Sequence, residues 1–279
     1  MAVSRQHGRD LARVSAHMGG GEHARPATYE AYESAPGTGA EYVEFDIRRT
    51  GDGVLVVHHD ARVAGRLLSE LSYASLCELA GYRVPLVRDA MRLAARRSAG
   101  HLDLKETGYE AEVIALAEAE FGSGNFIATT LEDVSVAAIK WQFPQVRTAL
   151  SLGRDVRGQP WTQRVRVRCS ELLPLARIRA SGADWVAVHH RLARLSVLRA
   201  CAQHGIGVMV WTVDSDRLMD GLIGDERVDV LITNRPGQAL RRRALLAQDA
   251  PAAGTAVPAQ ASPPAERSGE LAGGVRSPG

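Results

Sequence analysis

From about residue 10 to residue 247 the chain alternates between runs of strand length and stretches of helical period. The strand-like runs are Leu11–His17, Tyr42–Thr50, Val54–Asp60, His101–Lys105, Asn125–Thr130, Arg147–Leu152, Asp184–His190, Gly207–Val213 and Asp229–Asn234. Helical patterns lie between most of them, at Glu110–Phe121, Leu131–Phe143, Cys169–Ala180, Arg191–His204 and Asp214–Ile223. Such an alternation builds parallel βαβ units. One pair departs from it: Tyr42–Thr50 and Val54–Asp60 are joined by the tight Gly51-Asp52-Gly53, which reads as a hairpin. Nine strand candidates with one hairpin predict an α/β fold, a single-domain (β/α)₈ TIM barrel over residues 10–247, close to the ~250 residues typical of that architecture. A doubly wound open sheet is the alternative, but no GxGxxG follows the first strand.

From about Gln248 the pattern stops. Residues 248–279 are rich in Ala, Pro and Gly and have no aromatic residue and no period, so a disordered tail is expected there. The whole sequence is 45% hydrophobic with few aromatics, so the core must rest on Ala, Val, Leu and Ile. No apolar run approaches the ~20 residues that span a bilayer. The first residues, MAVSRQHGRDLARVSAH, lack the apolar stretch of a signal peptide, and a cytoplasmic protein without stable membrane insertion is expected. A net charge of +2 spread along the chain argues against nucleic acid as a partner. Cys77, Cys169 and Cys201 are far apart and form no CxxC, so they are expected to be buried, inert thiols.

In a barrel, functional groups sit at the C-terminal ends of the strands. Those ends carry His17, Glu44 and Asp46, His59 and Asp60, Asp103 and Lys105, Thr130, His189 and His190, Trp211 and Thr233. Glu44 and Asp46 are two apart on a strand and share a face. Inside a barrel their like charges disfavour joint ionisation, a conflict that a divalent cation relieves. Asp103 offers a third carboxylate, and three hard oxygen donors suit Mg²⁺ or Ca²⁺ better than Zn²⁺. The other reading places Glu44 and Asp46 on an outer, solvated face. His17 and His59 each close an apolar run, and two imidazoles beside carboxylates fit general acid–base chemistry. His58 and His59 are adjacent, so only one can face inward; His189 and His190 read as structural. Lys105 stands out because 32 of the 34 basic residues are Arg.

The ordered set resembles the glycerophosphodiester phosphodiesterase family over about residues 12–240. His17-Met18-Gly19 stands where that family has His-Arg-Gly. Glu44-Phe45-Asp46, Thr50-Gly51-Asp52-Gly53 and His59-Asp60 match its Glu-x-Asp, Thr-x-Asp-Gly and His-Asp block. Asp103-Leu104-Lys105 matches its acidic-x-Lys strand, and Trp211-Thr212-Val213-Asp214 and Thr233-Asn234-Arg235-Pro236 echo its late signatures. The resemblance implies a divalent metal on Glu44, Asp46 and Asp103, acid–base roles for His17 and His59, and substrate binding by Lys105 and Trp211. It further implies hydrolysis of small-molecule glycerophosphodiesters to glycerol 3-phosphate and an alcohol. The alternatives are a phospholipase D-like lyase that leaves a cyclic phosphate and a non-catalytic barrel that binds a phosphorylated ligand. Met18 is the main departure, since it removes a bidentate phosphate donor. Arg25, or backbone N–H groups of Gly19-Gly20-Gly21, are candidates to compensate.

Overall fold

The computed structural model describes residues 11–249. Eight strands form the barrel: β1 (Arg13–Ala16), β2 (Tyr42–Arg49), β3 (Ala99–Leu104), β4 (Phe126–Thr130), β5 (Arg147–Leu152), β6 (Trp185–His189), β7 (Gly207–Trp211) and β8 (Val230–Thr233). Each pairs in parallel with the next, and β8 returns to β1, so the ring closes. Closure leaves no exposed edge among these strands. The expected hairpin is present. Leu55–Val57 runs antiparallel to the end of β2, with Ile47 opposite Val57, and lies outside the ring of eight.

The period of two along each barrel strand separates an outer apolar core from an inner one, and a third cluster, Val56, Leu68, Leu76 and Val84, forms around the hairpin. Outward positions such as Val43, Phe45, Ile47, Leu102, Leu150, Val186, Val208 and Leu231 are buried in one large cluster beneath the helices. The inward set is separate and contains Tyr42, Ile127, Ala149, Ala187, Met209, Val230 and Ile232. At the N-terminal end, Arg13 donates to the Tyr42 hydroxyl at 2.8 Å and its guanidinium lies over the Tyr42 and Trp185 rings. Above this floor the inward positions become polar: Ser15, Glu44 and His101, then Asp46, Asp103 and Thr129, all buried or half-buried.

Two expected helices differ from their sequence patterns. Cys169–Ala180 is not one helix: Trp161–Leu172 and Leu175–Ser181 meet at Leu173-Pro174, where proline restricts the preceding residue and supplies no N–H. Arg191–His204 is interrupted by a π-helical turn at Ala193–Val197. Helices also form at Tyr29–Ser34, Tyr73–Ala80, Val87–Ala94 and Pro236–Asp249. The last carries the chain through Gln248 and Asp249, and the rest of the expected tail lies outside the described residues. Among the described residues no helix is long and apolar enough to cross a membrane. Cys201 is buried, but Cys77 is half-buried and Cys169 is exposed, contrary to the expectation of three buried thiols.

Candidate active site

Register brings the polar residues together. Glu44 is level with His101 and Asp46 with Asp103 across β2 and β3, and Asp103 is level with Thr129 on β4. Partners in parallel register share a face, so one alternation aims all five side chains into the barrel. Glu44 is 2% exposed and Asp46 1%, which excludes the outer, solvated placement. Ligand oxygens of Glu44, Asp46 and Asp103 lie within 4.8 Å of one another. Burial and then the Asp46 charge push the Glu44 carboxyl well above the usual carboxylate range. Burial also opposes ionisation of Asp46, its largest single influence, yet Lys105, Glu44 and His17 together hold it down to about 2.

Lys105 follows directly on β3. Its ammonium donates to Asp103 Oδ2 at 2.5 Å and stands 2.7 Å from Asp46 Oδ1, an ion-pair contact without hydrogen-bond alignment. Burial disfavours that charge, but Asp103, Asp46 and Glu44 outweigh it and raise the lysine further. The other Asp103 oxygen accepts the Thr129 hydroxyl at 2.8 Å. Thr129 has one proton to give, so its 3.1 Å contact with His101 Nε2 requires the ring to donate there. His101 Nδ1 then accepts from the Ser15 hydroxyl at 3.1 Å. Burial pushes His101 down to about 4, consistent with a neutral ring in this chain of contacts.

The three carboxylates fit a divalent cation. Asp46 Oδ2 is buried without a hydrogen-bond partner and Oδ1 is met only by the Lys105 ammonium, so both oxygens keep lone pairs that coordination would engage. With Glu44 ionised, as coordination would require, three carboxylates against one ammonium leave two negative charges, which a divalent cation would neutralise. All the donors are hard oxygens, as Mg²⁺ and Ca²⁺ require.

His17 begins a single turn, His17–Gly19, at the end of β1. The next residue, Met18, donates its backbone N–H to Glu44 Oε2 at 2.7 Å, which ties the turn to the carboxylates. His17 Nδ1 meets Asn234 Oδ1 at 2.9 Å, just past β8. His59 lies on the loop after the hairpin and is more than half exposed. Its Nδ1 bonds to Asp60 Oδ1 at 2.8 Å, and its carbonyl accepts from Arg48, which also holds Glu106. Its hydrogen bonds therefore run along the rim and not to the carboxylates. Neighbouring His58 places Nδ1 on the Asp60 carbonyl at 2.8 Å.

Trp211 ends β7 and packs edge-on to His189, with centroids 5.1 Å apart. It covers Gly153, where a Cβ would come within 2.9 Å of the indole. The His189 and His190 rings lie against each other, tilted by 32° with centroids 4.2 Å apart. Arg25 places its guanidinium over the Tyr82 ring. In the glycine run, the Gly20 and Gly21 N–H groups are already given to the carbonyls of His17 and Asn234. Gly19 and Gly20 are both sterically required: a Cβ would press on the Ala31 backbone at 3.0 Å with φ at +81° in the first, and on Pro236 at 3.1 Å with φ at +88° in the second.

Thr129, His101, Asp214 and Asn234 contribute contacts that a search for strand-end charges passes over. Register offered a signal for Thr129, being level with Asp103. Asp214 and Asn234 lie in the two late signatures, but the contact of Asn234 with His17, 217 residues away in the chain, is a property of the closed ring, and Asp214 joins it through Asn234.

Among solved structures the chain is similar to a glycerophosphodiester phosphodiesterase from Parabacteroides distasonis, at 20% identity and a TM-score of 0.70, covering 86% of this chain and 100% of that one. A glycerophosphoryl diester phosphodiesterase structure from Agrobacterium tumefaciens gives 18% identity and 0.71, with 86% and 100% covered. A phosphodiesterase from Oleispira antarctica, in complex with the product sn-glycerol-3-phosphate, gives 18% and 0.64, with 83% and 96% covered. At such identities these likenesses establish the barrel. No curated protein matches the chain. The glycerophosphoryl diester phosphodiesterase family matches residues 17–180, a stretch that runs from His17 through the carboxylates, His59 and Lys105. Since that match spans more than half of the sequence, the chain belongs to the glycerophosphoryl diester phosphodiesterase family.

Proposed function

We propose that the protein hydrolyses glycerophosphodiesters to glycerol 3-phosphate and an alcohol, with a divalent cation and two histidines. The observation that carries this reading is the convergence of Glu44, Asp46 and Asp103, the first two buried and the third half-buried, with ligand oxygens within 4.8 Å of one another and Asp46 Oδ2 left without a hydrogen bond. Glu44, Asp46 and Asp103 would hold the cation, which when bound supplies polarisation of a phosphoryl oxygen and stabilisation of developing charge. Lys105 stands against the same carboxylates and offers an ammonium to the phosphate. Trp211, half-buried at the end of β7, offers an apolar wall to the substrate.

Each catalytic histidine has Nδ1 engaged and Nε2 free of protein hydrogen bonds among the described residues, His17 through Asn234 and His59 through Asp60. One accepts the proton of the attacking hydroxyl and the other returns a proton to the departing alkoxide. Family resemblance makes the attacker a hydroxyl of the substrate's own glycerol: a new P–O bond closes a cyclic phosphate as the bond to the alcohol breaks. Water then opens the ring to glycerol 3-phosphate. Single-turnover and steady-state release from glycerophosphocholine and glycerophosphoethanolamine test the assignment. His17→Ala and His59→Ala are each expected to lower kcat by about 10²-fold or more with an unchanged melting temperature. Near-normal turnover in both variants contradicts it, and accumulation of cyclic phosphate as the final product favours the lyase instead.

A further inference from the structure

Proton transfer at one imidazole nitrogen depends on which nitrogen already carries a proton. His17 Nδ1 lies 2.9 Å from the Asn234 side chain. A carboxamide can offer either its oxygen or its NH₂ to a ring, so this contact alone leaves the tautomer open. Asp214 closes the question. Its Oδ2 takes the Asn234 Nδ2–H at 2.8 Å, while Oδ1 takes the Asn234 backbone N–H at 2.9 Å and the Thr233 hydroxyl at 3.0 Å. Three donors converging on one carboxylate leave it purely an acceptor. Asn234 must therefore give its NH₂ to Asp214 and turn Oδ1 toward His17. The His17 proton then sits on Nδ1, and Nε2 keeps its lone pair.

We propose that Asn234 and Asp214 are positioning residues that set the tautomer of His17, through the chain His17 Nδ1–H to Asn234 Oδ1 and Asn234 Nδ2–H to Asp214 Oδ2. This rests on the reading of His17 as one of the acid–base pair. The frame that holds the chain is local. Asp214 lies three residues beyond β7 and Asn234 directly beyond β8, and the Val213 N–H bonds to the Ile232 carbonyl at 3.0 Å to keep the two segments together. The Arg235 guanidinium donates to the Asp214 carbonyl at 3.0 Å on the outer side. An amide between ring and carboxylate passes on orientation without placing a formal charge against the imidazole.

The proposal makes a specific demand on variants. In Asp214→Asn the obligate acceptor is gone, so Asn234 is free to turn its NH₂ toward His17 and favour the Nε2–H tautomer. Exchanging the pair, Asp214→Asn with Asn234→Asp, restores every hydrogen bond: the carboxylate accepts from Nδ1–H and from the new amide, whose oxygen takes the Thr233 and backbone donors. Two readouts on the full chain decide the matter. Nitrogen-15 NMR of the His17 ring, assigned with His17→Ala, is expected to show Nδ1–H in the parent and a shift toward Nε2–H in Asp214→Asn. Release of glycerol 3-phosphate from glycerophosphocholine is expected to lose about tenfold or more in kcat in Asp214→Asn with little change in KM, and to recover in the exchanged double variant. An inactive His17→Ala together with an Asp214→Asn that keeps parental kcat and tautomer overturns the relay alone. Full activity in His17→Ala overturns the acid–base reading and the relay with it.

Discussion

At Met18 the backbone is left-handed, with φ 49° and ψ 37°. That conformation costs a residue with a Cβ about 1–2 kcal/mol, and it is held by two hydrogen bonds, from the Met18 N–H to Glu44 and from the Ala27 N–H to the Met18 carbonyl. The turn thus delivers His17 to Asn234 and one donor to the carboxylates at the same time. Its side chain brings no charge to a phosphate. Met18→Arg should leave that backbone in place and add a bidentate donor, so KM for glycerophosphocholine is expected to fall severalfold at similar kcat. A raised KM would mean that the pocket is shaped around the methionine. At this scale the sequence was legible wherever spacing within one strand settled the geometry: Glu44 with Asp46, and Asp103 with Lys105. The hydrogen bonds of His59 were not legible, since they depend on how the loop after Val57 leaves the hairpin and lies along Arg48 and Asp60.

Strands position the site because their inner faces are graded from an aromatic and cationic floor to a carboxylate mouth. The floor depends on Gly207 at the start of β7. A Cβ there would stand 2.5 Å from the Trp185 indole, and the guanidinium groups of Arg13 and Arg147 both lie against that ring. Since the ring has little room to withdraw, Gly207→Ala is expected to destabilise the fold by about 1–3 kcal/mol, read as a lower urea midpoint with an unchanged slope. A midpoint equal to the parent's would show that the floor relaxes freely. Periodicity made the strands readable, because each needs one face toward the helices and one toward the axis. The short helix Val87–Ala94 was passed over although Val87, Ala90, Met91 and Ala94 bury one face at helical spacing, because eight residues give only two turns of that pattern. The break at Leu173-Pro174 was written in the sequence as a proline inside a helical pattern, and the stretch was nevertheless expected to be continuous.

Across the molecule, ring closure is what makes a site from residues that the chain keeps far apart. His17 and Asn234 come together only because β8 returns to β1, and the carboxylates meet because β2 and β3 are neighbours in that ring. Alternation of strand and helix made this closure predictable, and the hairpin after β2 was marked by its glycine turn. On the proposed function, the closed barrel places Glu44, Asp46 and Asp103 to hold a divalent cation that the reaction requires. The most direct test is release of glycerol 3-phosphate from glycerophosphocholine with Mg²⁺ or Ca²⁺, after EDTA, and after the cation is returned. Release that stops in EDTA and resumes on return of either cation is the predicted result. Release that continues undiminished in EDTA contradicts the claim.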